Sequence, residues 1–379
     1  MLKRYLQLEN ELDSSIFLFG ARQTGKSTIM RAQLENAVYI DLLDTELLMR
    51  FRSNPSLLYQ MLHDKDASTV VVIDEIPEVP ELLNEVHRLI SEKGIKFVLC
   101  GSSARKLKRK GYNTLGGRAY PCYFFPLVSA EIPDFDLNKA LLHGLIPSHY
   151  FAKNPRRLLT AYIDIYLKEE IIQESIVRQL GSFQRFLEVA ALSNGEMINY
   201  SNIATDCGIK THTIRAYFDI LEDTLIGYRI PAYSKVIKRR LVHAPKFYFF
   251  DVALPHYLLN RTSLTQGTIE YGHAFEHFII QELVAYIGYN HKTEKLSYWR
   301  TQTGVEVDAV IGDAKVAIEI KSTDNIQNKH LKGLKSFVSD YPTAQPIIVS
   351  LDKISRKIEG IEVYYVNDFL SALWQGKIF

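Results

Sequence analysis

Eight consecutive residues near the N-terminus have the types and spacing of a phosphate-binding loop. They read Gly20, Ala21, Arg22, Gln23, Thr24, Gly25, Lys26 and Ser27, matching G-x-x-x-x-G-K-[ST]. In such a loop main-chain N–H groups surround the phosphates, the lysine pairs with the β- and γ-phosphates, and the hydroxyl binds Mg²⁺. We therefore predict a nucleotide site made of these residues and Thr28, with Lys26 as a catalytic residue and Ser27 as a Mg²⁺ ligand.

The segments around this loop supply the frame that it needs. Residues 15–19 form a short apolar run typical of a buried strand, and residues 28–34 can begin a helix. A helix that starts at the loop directs its first N–H groups at the phosphates. This strand–loop–helix order favours a phosphate loop over a chance glycine-rich turn.

A second signal is an acidic pair at the end of a continuous apolar run. Residues 68–74 read S-T-V-V-V-I-D, a pattern typical of a parallel strand buried on both faces, and Glu75 follows Asp74. We expect Asp74 to hold Mg²⁺ and Glu75 to polarise the attacking water. A further strand at 96–100 is followed by Ser102, which is placed to sense the γ-phosphate. No N-K-x-D motif for guanine follows, so the predicted cofactors are ATP and Mg²⁺.

Composition limits the class of protein. The 379 residues are enough for two or three domains, and the net charge of +2 means that any nucleic-acid surface must be a local patch. Three widely spaced cysteines favour neither a disulfide framework nor a zinc site. No signal peptide begins the chain and no apolar stretch approaches the ~20 residues of a membrane span. We therefore expect a soluble cytoplasmic protein with no membrane partner.

The pattern of strands and helices predicts four domains. Residues 1–133 alternate strands, including 38–42, with helices such as 81–91, which indicates a doubly wound parallel sheet of the α/β class. Residues 134–190 are predominantly helical, most clearly at 158–174, and are predicted to form a helical lid.

Residues 191–262 have the order of a winged helix. A short helix opens at 199–204, a turn follows at 207–209, a second helix covers 211–225, and two strands lie near 228–231 and 246–249. The second helix and the loop between the strands would offer basic and polar groups to DNA, a probable partner. The predicted DNA-binding residues are Lys210, His212, Thr213, Arg215, Lys235, Lys238, Arg239 and Arg240. The alternative is a winged helix used only for domain packing.

Residues 263–379 carry a further set of acidic and basic groups. A helix containing Glu276 precedes strands at 298–300, 305–311 and 315–321, the last of which alternates between inward and outward residues. Ten residues separate Asp308 from Glu319, enough for a hairpin that brings the carboxylates together, and Lys321 projects from the same strand face as Glu319. Asp308 and Glu319 could hold Mg²⁺ while Lys321 positions water, and Glu276 could complete the cluster.

This pattern resembles the PD-(D/E)xK nuclease fold of restriction enzymes and junction resolvases. Three interpretations stay open at this point: an active nuclease, a nuclease-like domain that keeps its ligands without activity, and an ordinary edge strand with surface charges.

The whole chain resembles bacterial and archaeal AAA-type ATPases that join an ATPase core to a winged helix and a C-terminal nuclease-like domain. The segments that carry the likeness are F-L-F-G-A-R-Q-T-G-K-S-T, V-V-V-I-D-E, G-G-R at 116–118 and E-I-K at 319–321. The resemblance implies that Arg118 meets the γ-phosphate as a finger or sensor, from the same chain or from a neighbour. The alternative for Arg118 is a packing or solvent-facing role.

These features together predict a Mg²⁺-dependent ATPase that couples nucleotide state to DNA binding and carries a nuclease-like C-terminal domain. The alternative is a signalling or defence switch, in which ATP drives homo-oligomer assembly and a catalytically inactive C-terminal domain recruits a protein partner.

Overall fold

The computed structural model describes residues 2–102, 115–163, 180–234 and 244–379. Contacts divide the chain into two units, one formed by residues 1–126 with 223–225 and the other by residues 127–222 with 226–379. The predicted boundaries at 133, 190 and 262 stay predictions.

The first unit is built on a five-stranded parallel sheet with the order β2-β3-β4-β1-β5. Its strands are β1 (Ser15–Phe19), β2 (Val38–Asp41), β3 (Val70–Asp74), β4 (Lys96–Gly101) and β5 (Ala119–Tyr123). Nearly every residue of β1, β3 and β4 is buried, as expected for strands covered on both faces. The predicted α/β class with a parallel sheet is confirmed.

One helix precedes β1 and the others lie between successive strands. They are α1 (Leu8–Glu11), α2 (Lys26–Gln33), α3 (Thr45–Ser53), α4 (Leu57–Met61) and α5 (Leu82–Lys93). The Asp44 side chain caps α3 by accepting a hydrogen bond from the N–H of Leu47 at 3.0 Å. On α5 the apolar stripe of Leu82, Val86 and Leu89 is buried against the sheet core, which is the face that its spacing predicts.

The second unit carries a separate six-stranded mixed sheet with the order β12-β13-β11-β10-β9-β8. Its strands are β8 (Leu296–Arg300), β9 (Glu306–Ile311), β10 (Val316–Lys321), β11 (Gln345–Ser350), β12 (Arg356–Ile358) and β13 (Ile361–Tyr365). A two-stranded antiparallel hairpin of β6 (Gly227–Ile230) and β7 (Lys246–Phe249) precedes it. The separate C-terminal sheet agrees with the predicted fold class.

The helices after residue 126 surround these strands. They are α6 (Leu137–His143), α7 (Pro147–Tyr150), α8 (Pro155–Ala161), α9 (Leu180–Leu192), α10 (Tyr200–Cys207), α11 (Thr211–Asp223), α12 (Ala253–Leu258), α13 (Ile269–Tyr289), α14 (Lys332–Asp340) and α15 (Val366–Trp374). The predicted helix at 158–174 overlaps α8 and then continues outside the described residues.

The expected alternation of inward and outward residues on β10 is wrong. Residues 316–320 are all buried, because β10 lies between β9 and β11 and is contacted by both α13 and α14. Residues covered on both faces of a sheet have no access to water, so a charged residue such as Glu319 must find its partners inside the protein.

Helix α13 buries an acid as well as apolar side chains. The Glu282 carboxylate is fully buried and accepts hydrogen bonds from the N–H and hydroxyl of Ser129, both at 2.8 Å, and from Nε1 of Trp374 at 2.6 Å. Burial nevertheless outweighs these bonds and raises the pKa of Glu282 to about 7. Between about pH 4.5 and 7, Glu282 therefore keeps a proton in the folded protein that it would release in the unfolded chain.

Two further observations concern the whole described chain. The three cysteines, Cys100, Cys122 and Cys207, are buried and free. Within the described ranges, no helix has the length and apolar character required to cross a bilayer.

Candidate nucleotide site and carboxylate cluster

Three polar segments meet at one edge of the first sheet. Strand β4 lies between β1 and β3, and the carboxyl ends of these parallel strands lead into the phosphate loop, Asp74 with Glu75, and Ser102. Ligands of open α/β sheets bind beyond the carboxyl ends of the strands. The structure thus places four predicted site elements, Lys26, Asp74, Glu75 and Ser102, at the same edge.

The loop between β1 and α2 needs its glycines. A Cβ at Gly20 would lie 2.4 Å from the main-chain oxygen of Phe124, so only glycine lets these two backbones approach. Gly25 has φ of +99° and caps α2, and Gln23 also has a positive φ, +62°. Helix α2 then begins at Lys26, which leaves its first N–H groups without intrahelical partners and directed at the loop.

The lysine and serine of the motif have defined partners. Lys26 Nζ donates to the main-chain oxygens of Gly20 at 2.7 Å and Ala21 at 3.0 Å, using two of its three donors. Ser27 Oγ donates to Asp74 Oδ2 at 2.8 Å, although 47 residues separate them. A hydroxyl and a carboxylate oxygen side by side are the hard oxygen ligands that Mg²⁺ prefers, so these residues fit the ion that the motif implies.

Tyr39 is a site residue that the sequence did not reveal. Its hydroxyl donates to the same Asp74 Oδ2 at 2.6 Å, and the Arg31 guanidinium lies 4.1 Å from its ring centre. Burial and the Asp74 carboxylate raise the pKa of Tyr39, so the phenol keeps its proton and remains a donor. Tyr39 therefore fixes the orientation of the Asp74 carboxylate.

Arg4 is a second unanticipated residue. The buried side chain donates to the main-chain oxygens of Thr24 at 2.8 Å and Phe125 at 2.9 Å, and its guanidinium lies 4.1 Å from the Phe124 ring centre. The bond to Thr24 attaches the N-terminal segment to the phosphate loop. Nothing in the local sequence of Arg4 signals this role, because Thr24 and Phe125 lie 20 or more positions away along the chain.

Glu75 and Arg118 differ in position. Glu75 is half-buried beside Asp74 with φ of +57°, an uncommon conformation for a non-glycine residue and one that is concentrated at functional sites. Arg118 is exposed and precedes β5, whose first residue pairs with Ser15 at the start of β1. The loop follows the other end of β1, about 16 Å away along the strand. The structure therefore does not bring Arg118 to the phosphate loop of its own chain.

The predicted DNA-contacting residues lie on and beside α11. Lys210, His212 and Arg215 are exposed and Thr213 is half-buried, while the Arg215 guanidinium lies 4.1 Å from the Tyr200 ring centre. Lys235, Lys238, Arg239 and Arg240 lie outside the described residues. The helix pair and the β6–β7 hairpin have the order expected of a winged helix, and this assignment stays a prediction.

The second sheet brings the C-terminal acids together. The antiparallel register pairs Ala309 with Ile318, so the next pair along it is Asp308 with Glu319 on one face. Lys321 Nζ lies 2.6 Å from Glu319 Oε1 and 3.6 Å from Asp308 Oδ2. Asp308 Oδ2 also accepts the N–H of Ile320 at 2.7 Å.

A second lysine, Lys246 on β7, is buried, completes the cluster and was not predicted. Its Nζ lies 3.2 Å from Glu276 Oε1 and also pairs with Glu306. The Tyr248 hydroxyl donates to the same Glu276 oxygen at 2.7 Å. Burial lowers the pKa of Lys246, but the surrounding carboxylates, led by Glu276, outweigh burial and raise it overall. The sequence feature that could have pointed to Lys246 is its place as the first residue of an otherwise apolar strand.

The pKa values of two acids in the cluster, Asp308 and Glu319, are raised. Burial and the charge on Asp308 raise the pKa of Glu319 to about 8, and burial raises the pKa of Asp308 despite Lys321. Glu319 Oε2 is buried without a hydrogen-bond partner in the described part of the chain. An orphaned carboxylate oxygen beside a second carboxylate suits a divalent cation, although no set of three or more His, Cys, Asp or Glu residues within the described ranges forms a metal site.

The edge-strand interpretation of the C-terminal motif is wrong. Strand β10 is internal to its sheet, and Asp308 and Glu319 are only 8% and 7% exposed. Buried acids cost desolvation energy even when a lysine pairs with them, which surface charges do not. The nuclease and nuclease-like interpretations remain.

Comparison with family models divides the chain into three matched regions. Residues 13–132 match an AAA domain. This match contains all five strands of the parallel sheet and supports an AAA-type P-loop fold for it. Residues 134–265 and 271–369 match two domains of unknown function, DUF8612 and DUF4143. The match to the AAA domain supports ATPase activity, and it covers the loop, Asp74, Glu75, Ser102 and Arg118.

Several curated proteins are similar over most of their length. Uncharacterized proteins of Mycobacterium tuberculosis and Mycobacterium bovis are each 25% identical over 322 residues, covering 81% of this chain and 70% of theirs. An uncharacterized protein of Haemophilus influenzae is 23% identical over 384 residues, covering 93% of this chain and 92% of its own.

Two solved structures overlap the chain loosely. The Orc1 protein of Aeropyrum pernix in complex with DNA is 13% identical, covers 67% of this chain and 89% of its own, and has a TM-score of 0.25. A Signal Transduction ATPase with Numerous Domains from Pyrococcus horikoshii, which carries a tetratricopeptide repeat sensor, is 11% identical, covers 77% and 51%, and has a TM-score of 0.22. At these TM-scores neither likeness carries an argument about function.

Proposed function

We propose that the protein is a Mg²⁺-dependent ATPase that couples its nucleotide state to DNA binding. The observation that carries the ATPase part is the 2.8 Å contact between Ser27 Oγ and Asp74 Oδ2, beside Lys26 at the start of α2. The loop serine and the acid at the end of a neighbouring strand are the protein ligands of Mg²⁺ in P-loop ATPases.

Each residue at this edge has a distinct task in the proposed reaction. The N–H groups at the start of α2 and Lys26 bind the β- and γ-phosphates, and Ser27 with Asp74 hold Mg²⁺, which offsets phosphate charge when bound. Glu75 orients the water for in-line attack on the γ-phosphorus, and Ser102 contacts the γ-phosphate. The half-buried position of Glu75 beside Asp74 supports this assignment.

We propose that Arg118 acts at the nucleotide site of a neighbouring subunit. Its exposed side chain starts at the sheet edge opposite the loop, so it suits the site of another copy better than its own. Homo-oligomer formation would then be required for full turnover. Mixing Arg118→Ala with Glu75→Gln should restore activity that each variant lacks alone, and failure of mixed samples to recover turnover would contradict this arrangement.

Two substitutions separate binding from hydrolysis. Lys26→Ala should abolish binding of a fluorescent ATP analogue, because it removes the cation that meets the phosphates. Glu75→Gln should bind ATP as the wild type does and yet release phosphate at least about a hundredfold more slowly. Glu92→Gln, a change at an exposed glutamate on α5, is the matched control and should turn over normally. Normal turnover by Glu75→Gln would remove Glu75 from its role.

The DNA part of the proposal rests on the exposed basic groups at the start of α11. Lys210 and Arg215 are placed to contact phosphates of a duplex, and each such contact contributes about 0.9 to the slope of log affinity against log salt. The double variant Lys210→Gln/Arg215→Gln should weaken DNA binding and lower that slope by roughly 2. Lys357→Gln, a change at an exposed lysine on β12, should leave both unchanged.

The nuclease-like site is a second candidate function. It is favoured by the meeting of Asp308, Glu319 and Lys321 and by the unpartnered Glu319 Oε2. Asp308 and Glu319 would hold Mg²⁺, and Lys321 would position the water that attacks a phosphodiester. Asp308→Ala should lose Mg²⁺-dependent DNA cleavage and keep ATPase activity, whereas Asp340→Ala, at an exposed acid on α14, should keep both. If the wild type nicks no duplex, single-stranded or branched DNA, the domain is a binding module.

The switch hypothesis predicts a different result. If ATP drives assembly and the C-terminal domain recruits a protein, the mass in solution should rise with a non-hydrolysable ATP analogue. ATP turnover should then be equal across hairpins, four-way junctions and linear DNA, whereas stimulation by one DNA shape would support the DNA-coupled ATPase.

A further inference from the structure

We propose that a cavity between α6, α8 and α12 binds a small organic phosphate. The cavity has a volume of about 230 Å³ and is formed by residues of the 134–265 region, away from the C-terminal carboxylate cluster. It is independent of the proposed ATPase and nuclease functions.

The polar lining of this cavity is basic. Arg156, Arg261, His143 and His256 line it, and none of its described lining residues is acidic. Neither arginine forms an ion pair with another residue in the described part of the chain. The Glu270 carboxylate acts electrostatically on Arg261 from a smaller cavity that Arg261 and His256 also line. Two guanidinium groups in a cavity whose described lining holds no carboxylate favour an anion there.

The two histidines supply unsatisfied donors or acceptors. His256 is only 4% exposed, and its Nδ1 is buried with no hydrogen-bond partner among the described residues. His143 Nδ1, on the opposite helix α6, is buried and unpartnered in the same sense. Leaving such a group unsatisfied costs about 1–3 kcal/mol. A ligand oxygen between α6 and α12 would satisfy both.

The protonation of these histidines fits an anionic ligand supported by the arginines. Burial lowers the pKa of His143, with Lys139 adding to the effect, and burial lowers the pKa of His256 to about 3. Both imidazoles are therefore neutral near pH 7, and His256 can offer its single N–H to an oxyanion, whereas His143 hydrogen-bonds the main chain of Tyr150 and leaves Nδ1 as an acceptor for a ligand hydroxyl. The arginines carry the charge.

Shape and polarity define the rest of the ligand. Leu142, Leu159 and Pro155 give the cavity an apolar wall, which a bare inorganic ion would leave in contact with water. Sites for drug-sized molecules have volumes of about 300–1,000 Å³, so a cavity of this size fits a smaller body and excludes a nucleotide. A dianionic phosphate suits two arginines better than a monoanionic carboxylate does, because its two negative charges balance both guanidinium cations.

The test uses full-length protein carrying Lys26→Ala, so that the nucleotide loop does not compete for phosphate. Phenyl phosphate titrated by calorimetry should bind at one site. Arg156→Ala and Arg261→Ala should each weaken that binding at least about tenfold, the usual loss for one charge-assisted contact. Arg157→Ala is the matched control, since Arg157 is the exposed neighbour on the same helix and does not line the cavity. It should bind phenyl phosphate unchanged.

Further measurements separate a ligand site from a structural effect. Circular dichroism and thermal unfolding of the arginine variants should match those of the Lys26→Ala parent, since Arg156 is exposed and its removal leaves the core intact. In ¹⁵N-histidine spectra, phenyl phosphate should shift the ring signals of His143 and His256. The absence of binding, equal binding of benzoate, or full binding by the Arg156→Ala/Arg261→Ala double variant would each overturn the proposal.

Discussion

Replacing Lys246 by methionine removes a charge that links three elements of the C-terminal cluster, namely β7, α13 and β9. Its Nζ is buried and lies 3.2 Å from Glu276 Oε1 and in contact with Glu306. Removing one partner from a buried ion pair costs about 3–5 kcal/mol, because the other charge stays buried without compensation. Both glutamates are 21% exposed and keep one partner each, Tyr248 and Arg300. We therefore expect the lower end, about 3 kcal/mol.

A second substitution tests whether the cost is electrostatic. Adding Glu276→Gln to Lys246→Met removes one of the two stranded charges, so the double variant should recover at least about 1 kcal/mol over Lys246→Met. Lys315→Met is the matched control, because Lys315 is 54% exposed and its 3.1 Å pair with Glu294 lies at the surface. Loss of such a pair costs less than about 1 kcal/mol.

The assay is urea unfolding followed by tryptophan fluorescence, since Trp299 on β8 and Trp374 on α15 both belong to the second unit. The reasoning is refuted if Lys246→Met costs no more than Lys315→Met, or if the double variant is no more stable than the single one. The first result would mean that the cluster is hydrated, and the second that lost packing dominates.

Three further predictions concern other sites. Gly20→Ala should raise the dissociation constant for ATP at least about tenfold, because its Cβ would lie 2.4 Å from the main-chain oxygen of Phe124 and displace the loop; unchanged binding would contradict this. Tyr39→Phe should cost about 1 kcal/mol in the free energy of unfolding and leave ATP binding intact, so loss of binding would show that Tyr39 does more than hold Asp74. The folded-state pKa of Glu282 is about 7, raised from 4.5, so the folded protein binds this proton more tightly than the unfolded chain does. The resulting stabilisation is complete below about pH 4.5 and is lost as the pH rises to about 7. Urea midpoints of Glu282→Gln should fall less over this range than those of the wild type, and parallel curves would refute the assignment.

Much of the nucleotide site could be predicted because its determinants are local. The spacing of Gly20, Gly25 and Lys26 fixes the loop, and apolar runs place β1 and β3 in a parallel sheet, so Asp74 must end near the loop. The hairpin of β9 and β10 is equally local, which is why the meeting of Asp308 and Glu319 follows from a ten-residue separation.

The residues that the sequence did not reveal depend on distant parts of the chain. Tyr39 reaches Asp74 across 35 positions, and Lys246 reaches Glu306 from a different sheet. Burial on both faces of β10 depends on α13 and α14, which flank it only in the folded chain, so alternating charges suggested a half-exposed strand. The position of Arg118 also depends on distant parts of the chain, because the pairing of β5 with β1 decides which edge of the sheet Arg118 occupies.

The strand order also has a consequence for how the protein is made. Strand β1, which leads into the phosphate loop, pairs with β4 and β5, and these begin at Lys96 and Ala119. While a ribosome is still adding the first ninety or so amino acids, β1 has neither of these neighbours, and pairing across such separations is slow. The sheet that frames the nucleotide loop is therefore complete only once the chain has been made as far as Tyr123.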